Sequence, residues 1–229
     1  MKAAVFEMND PFLSAPSAIR SDNIVLEPLN EGHEEELRSA AADERIWQFL
    51  GTNGATGLGF QDWFFRMIAE TVDRQRQVYA VRTVRGGRIV GASGFKDIDV
   101  YEGRVTVGSS WLSPHAWGTH VNAEATFLLL NHLYEDLRVN RCEYFVHTEN
   151  VRMLRFLDRI GFVQEGILRS RFRLSTGEIC DLAIASCLSD DWHIVSQRLR
   201  SRMDRKGLHL GGPKIGDGFK RQGQWQQIE

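Results

Sequence analysis

Cysteine is scarce in this chain. Only Cys142, Cys180 and Cys187 occur. An odd number with no CxxC pair and no Cys/His cluster argues against a disulfide framework and against a structural zinc site, and it fits a reducing cytoplasm. Long apolar runs are lacking as well. No segment has the length and hydrophobicity of a bilayer span, and the N-terminal MKAAVFEMNDPF carries acids where a signal peptide would have its apolar stretch. An excess of one charge sign is also missing. The 28 Lys/Arg against 30 Asp/Glu leave a net charge of -2, which argues against whole-surface nucleic-acid binding and leaves only local basic patches. The glycine-rich stretch GTNGATGLG, residues 51–59, lacks the Gly-Lys-Ser/Thr ending of a nucleotide P-loop and reads as a mobile connector. A cytoplasmic protein without metal, membrane span or nucleic-acid partner is expected.

What is present is enough for a sizeable core. The 229 residues are 42% hydrophobic, with 13 Phe and 6 Trp, so one large domain with appendages is expected. Residues 1–21, broken by Pro11 and Pro16, read as an irregular lead-in. A domain over residues 22–195 follows, then a basic, glycine-containing extension over 196–229. From Arg198 to Arg221 that extension has eight Lys/Arg against two Asp; it reads as a solvated tail, the sharper alternative being an anion clamp or a dimer arm.

Within the domain the periodicities alternate. DNIVLEPL reads as a short strand, and residues 31–50 as a helix with Leu37, Ala40 and Ala41 on one face. A second amphipathic helix places Phe64, Met67, Ile68 and Val72 inward. From Gln77 the period becomes two. VYAVRTV and RIVGASGF flank Gly86-Gly87, a pair suited to a tight hairpin, and RVTVGSSWL adds a third antiparallel strand with an expected irregularity at Ser109-Ser110. Residues 121–137 carry a broad apolar helical face, so that helix should be covered on more than one side. Strand Arg141–Val146 follows, and strand–helix–strand in one sheet makes a parallel pair. Asn150 caps a helix that ends at Gly161, two strands follow at 162–168 and 179–187, and a last helix runs from 190 to about 205.

The stretch WLSPHAWGTHVNAEA, residues 111–125, stands out. It is the end of a strand, a Pro/Gly turn and the start of the leucine-rich helix. Such a turn leaves backbone N–H groups unpaired beside the positive end of the helix dipole, a cradle for phosphate. Together with TENVRMLRFLDRIGF and the order of elements, GSSWLSPHAWGTHVNAEA resembles the GNAT acyltransferase superfamily, in its ribosomal-protein N-acetyltransferase-like (Rim-type) branch, over about residues 22–192. The resemblance implies an α+β fold: a mixed, mostly antiparallel central sheet with a parallel central pair, flanked by helices on both faces. It implies acetyl-CoA as co-substrate. The amides of Trp117, Gly118, Thr119, His120, Val121 and Asn122 would hold its diphosphate. Trp111 and Leu112 would pair with its pantetheine arm as a neighbouring strand does, and Asn150 would hydrogen-bond that arm.

The chain departs from the family pattern at several places. Trp117 stands where the loop usually opens with Gln or Arg, His120 replaces a glycine, and Asn122 a small residue. Thr106 stands at a common Glu, Met153 at a common Ser, and Leu157 at the Tyr that other branches use as acid. The candidate catalytic residues are therefore His147, which titrates near neutral pH when unperturbed, and Asp181, which could hold the acceptor amine. The activity implied is N-acyl transfer, most simply of acetyl, to a small-molecule amine or a protein N-terminus, with a homodimer left open. The alternative is a GNAT-fold protein that binds acyl-CoA as a sensor or interaction module without transferring it.

Overall fold

The computed structural model describes residues 9–11 and 17–203. Eight strands form one sheet: β1 (Ile19–Arg20), β2 (Ile24–Pro28), β3 (Arg76–Thr83), β4 (Ile89–Asp99), β5 (Arg104–Leu112), β6 (Arg141–His147), β7 (Val163–Arg173) and β8 (Ile179–Leu188). Their order is β1-β2-β3-β4-β5-β6-β8-β7, and every neighbouring pair is antiparallel except β5 and β6. The helices are α1 (Glu34–Ala40), α2 (Gly57–Val72), α3 (His120–Asn131), α4 (Val151–Ile160) and α5 (Trp192–Met203). This is the expected mixed α+β fold.

Strand alternation sorts the core into two layers. On β3, Val78 and Ala80 pack with Leu37, Trp47, Phe60, Trp63 and Phe64 on the α1/α2 face. Tyr79 and Val81 point to the other face, where α3, α4 and α5 supply Leu129, Leu157 and Val195. Helices thus cover both faces of the sheet. The β3–β4 hairpin turns at Gly86 and Gly87, whose φ angles of 91° and 65° suit glycine.

Several boundaries differ from the sequence-based expectation. The helix expected over 31–50 is broken into a 3-10 turn (Glu31–His33), α1, and a second 3-10 turn (Glu44–Ile46). The Asp43 carboxylate accepts the Arg45 N–H at 3.0 Å, and the Trp47 indole donates to the Ala41 carbonyl at 2.9 Å. These local bonds compete with the helix and fold the chain back. On α2, Val72 lies at the helix end and is 75% exposed, while Phe60 and Trp63 join Phe64 and Met67 inward. The helix expected over 121–137 is α3 followed by a π-type turn, His132–Asp136. That wider turn keeps Leu133, Tyr134 and Leu137 buried together, with the Tyr134 hydroxyl donating to the Cys187 carbonyl at 2.7 Å.

At the start, Ile19 and Arg20 pair with Leu26 and Val25, so the sheet begins before residue 22, inside the expected lead-in. Asn9 donates from its backbone to the Leu137 carbonyl at 2.8 Å. At the other end the chain turns through Ser189–Asp191 into α5. The basic extension beyond Met203, with its proposed clamp or dimer arm, lies outside the described residues.

Candidate active site

The parallel pair is short. Arg104, Val105 and Thr106 face Arg141, Cys142 and Glu143, and no pairing continues beyond them. β5 nevertheless runs on to Leu112 and β6 to His147. The two strands part, and the end of β5 keeps backbone groups on its β6 side that no strand of the described residues satisfies. Such an edge is a template for an extended chain. The cause is visible in β5. Gly108 faces Gly94 and Trp111 faces Ala92, so Ser109 and Ser110 together oppose Ser93. This is a bulge, with Ser109 at φ 54° and its hydroxyl held by Arg76 Nη1 at 2.6 Å. An inserted residue bends and twists its strand.

After β5 the chain makes a 3-10 turn, Pro114–Ala116, then passes Trp117 and Gly118 into α3. Gly118 has φ 74°, and a Cβ built there would meet nothing within 4 Å. The loop therefore opens on free space. Thr119 caps α3, its hydroxyl accepting the Val121 N–H at 3.2 Å and donating to the Ala116 carbonyl at 2.7 Å. Val121 is thus spoken for, and so are two more of the expected donors: the Trp117 amide donates to the Pro114 carbonyl at 3.0 Å and the Thr119 amide to the Ala116 carbonyl at 3.4 Å. The His120 and Asn122 amides stand in the first helical turn, where no helical partner exists, beside the positive dipole end. The His120 ring lies along its own helix, Nε2 being 3.8 Å from the buried Glu124 carboxylate, which also accepts from Asn23 Nδ2 at 3.2 Å. These donors, a glycine at positive φ and open space before them fit a diphosphate.

Trp117 closes the wide end of the split. Its indole Nε1 donates to the Leu112 carbonyl at 2.7 Å. Across the gap the Arg152 guanidinium lies 3.9 Å from its ring centroid, and Arg45 lies 5.7 Å from it on the α1–α2 connection. Desolvation lowers the Arg152 guanidinium from its ordinary value. A cavity of about 270 Å³ lies here, lined by Trp117, Asn150, Arg45, Phe49, Glu149 and Arg152 among others. Asn150 caps α4 by accepting the Met153 N–H at 3.2 Å. Its amide nitrogen can still donate into the cavity it lines.

The remaining site residues take definite places. The Trp111 side chain packs between Trp47 and Trp63, 5.4 Å from each, so only its backbone can meet a ligand in the split. His147 stacks on Phe49 at 4.9 Å and accepts the Glu149 N–H on Nδ1 at 3.0 Å. That bond places the neutral ring's proton on Nε2. Asp181 Oδ1 accepts the Ser170 N–H at 2.8 Å, and the Asp181 carbonyl accepts from Thr148. The β7–β8 register shifts between Leu168 and Phe172, and Asp181 thereby ties Ser170 of that irregular stretch to the end of β6, beside His147. Leu157 is 1% exposed, part of the core.

Sequence reasoning missed Arg45, Phe49, Glu149 and Arg152, which reach the cavity from segments far apart in the chain. It also missed Glu143. Paired residues on parallel strands share a face, so Glu143 stands beside Thr106, where the family commonly has its acid. Its carboxylate is engaged by Arg141 Nε at 2.6 Å and Arg104 Nη1 at 3.7 Å. A lone Glu within the apolar run RCEYFVH was the available signal. Among the described residues no cluster of three or more His, Cys, Asp or Glu side chains could hold a metal ion, and no helix is long and apolar enough to cross a membrane.

Comparison with known proteins agrees with this geometry. Residues 23–163 match the family model described as an acetyltransferase (GNAT) domain. The chain is 24% identical over 152 residues to the uncharacterized N-acetyltransferase p20 of Bacillus licheniformis, covering 66% of this chain and 84% of that protein. A GCN5-related N-acetyltransferase from Brucella melitensis superposes with a TM-score of 0.78 at 24% identity, over 91% of this chain and 93% of that one. The ribosomal L7/L12 alpha-N-protein acetyltransferase RimL, solved in complex with coenzyme A, superposes with a TM-score of 0.65 at 16% identity, over 75% and 97%. At these identities the structural likeness establishes the fold, while the family model spans well over half of the chain. The chain belongs to the GNAT family of N-acetyltransferases.

Proposed function

We propose that the protein moves an acetyl group from acetyl-CoA to a primary amine, that of a small molecule or of a protein N-terminus, in the cytoplasm. The observation that carries this reading is the parting of β5 from β6 directly ahead of the amide-lined start of α3. The split takes the extended pantetheine arm along the free edge of β5, and the Gly118, His120 and Asn122 amides take the diphosphate. The RimL likeness supports coenzyme A as the bound species and a protein N-terminus as one acceptor.

The reaction needs a neutral amine next to the thioester carbonyl, and positioning supplies much of the rate. As the nitrogen attacks, negative charge collects on the carbonyl oxygen, and unpaired N–H groups of β5 are suited to receive it. The C–S bond then breaks, the thiolate takes a proton, and the amine nitrogen loses one. Asp181 keeps one carboxylate oxygen for the acceptor's ammonium group. His147, with Nδ1 engaged, offers a hydrogen bond from Nε2 and does not act as the base. The proton that the amine nitrogen loses passes through water to the departing thiolate, which closes the balance.

The test is release of free thiol from acetyl-CoA over a panel of amines and peptides with free N-termini. Acceptor-dependent release is expected. Tight coenzyme binding with no release over the whole panel would favour a sensor or interaction module on the same fold, and no binding would remove both readings. Trp117 gives a second expectation. Its indole occupies the Leu112 carbonyl that the arm would use, so binding must first break that bond. Trp117→Phe keeps the ring between the arginines and removes the donor. A net gain of about 2- to 10-fold in coenzyme affinity is expected for one neutral hydrogen bond, read by calorimetry. An unchanged or weaker affinity would contradict pairing at Leu112.

A further inference from the structure

Among the described residues, Arg152 is a cation with no ion-paired carboxylate. It projects from the first turn of α4 onto the Trp117 ring, and no carboxylate of the described residues lies within ion-pair distance of it. Arg45, on the same ring, differs: Asp43 takes its guanidinium in a two-pronged pair, at 2.9 Å from Nε and 2.6 Å from Nη2. Of the two guanidinium groups on this ring, Arg152's is therefore the one that no carboxylate occupies; Glu149 lines the same cavity but makes no ion pair with it. A planar guanidinium fixed by stacking loses little freedom when it takes an anion, and its fork suits phosphate.

On the proposed reading of the site, on which this inference rests, the coenzyme brings two anionic groups. The diphosphate has the amides at the start of α3. The other is the monoester phosphate on the 3′ position of the ribose. We infer that Arg152, held in place by Trp117, binds this 3′-phosphate and makes the enzyme selective for coenzyme A over its 3′-dephospho form. Arg152 comes from α4, across the gap from the phosphate loop, so the two anions are held by opposite walls.

The experiment is calorimetric titration of the full chain with coenzyme A and with 3′-dephospho-coenzyme A, in wild type, Arg152→Gln and Arg152→Lys, with melting curves to show that each variant is folded. The wild type should prefer coenzyme A by about 10-fold or more, the size of one charge-assisted contact. In Arg152→Gln the preference should fall to near one because coenzyme A alone binds more weakly. Arg152→Lys should retain part of the preference. A wild-type ratio near one overturns the assignment and leaves the coenzyme site standing. So does equal weakening of both ligands by Arg152→Gln, which would make Arg152 a support for Trp117 or a contact to the diphosphate. If neither ligand binds the wild type, the coenzyme reading itself fails and this inference fails with it.

Discussion

Gly118→Pro is expected to weaken acetyl-CoA binding by about 100-fold or more while leaving the domain folded. Gly118 sits at φ 74° between the 3-10 turn and α3. Proline fixes φ near −65° and has no N–H, so the substitution removes one donor and re-aims the next ones, at a cost of about 3 kcal/mol or more. Gly118→Ala separates the two effects. An added Cβ meets nothing within 4 Å, so alanine brings only the left-handed backbone penalty of about 1–2 kcal/mol and keeps the amide. Its loss of affinity should stay within about 10-fold. Calorimetry with acetyl-CoA reads both variants. Full affinity in a folded Gly118→Pro protein would contradict the loop assignment.

Leu129→Ala is expected to have the largest effect on stability. Leu129 is 0% exposed in the middle of α3, between the sheet and α5, within a cluster that also takes in Leu130, Leu133 and Val195. Truncating a leucine in such a place costs about 2–5 kcal/mol, because the cavity cannot collapse fully. For a domain of this size that lowers the Tm by roughly 2–4 °C for each kcal/mol. Phe65→Ala, on the outer side of α2 where the ring is 50% exposed, should change stability by about 0.5 kcal/mol or less. Thermal melts that rank the two variants equally would contradict this picture of α3 as a helix enclosed on both sides.

Much of the fold was legible because it is written in local periods. The alternation in VYAVRTV sends successive residues to the two core layers. The apolar residues around α3 announced cover on both sides, and Asn150 and Gly161 marked both ends of α4. The bulge at Ser109-Ser110 was legible from the break in alternation. What escaped depends on side chains meeting over distance. The break after Ala41 needs the Trp47 indole to reach back for a carbonyl, which no helical count reveals. The short reach of the β5–β6 pairing, which makes the split, comes from geometry rather than from any residue in β6. The stacking of Arg152 on Trp117 joins residues 35 positions apart. His147 looked like a base from its residue type alone. Its Nδ1 is occupied by an amide two residues on, and that bond changes what the ring can do.

The most direct measurement is a crystal structure of the full chain grown in saturating acetyl-CoA. The account predicts the pantetheine arm lying along β5 between Ser110 and Leu112, the Trp117 indole released from the Leu112 carbonyl, and the diphosphate on the Gly118, His120 and Asn122 amides. A coenzyme bound elsewhere, or a split still closed by Trp117 with an empty phosphate loop, would contradict it.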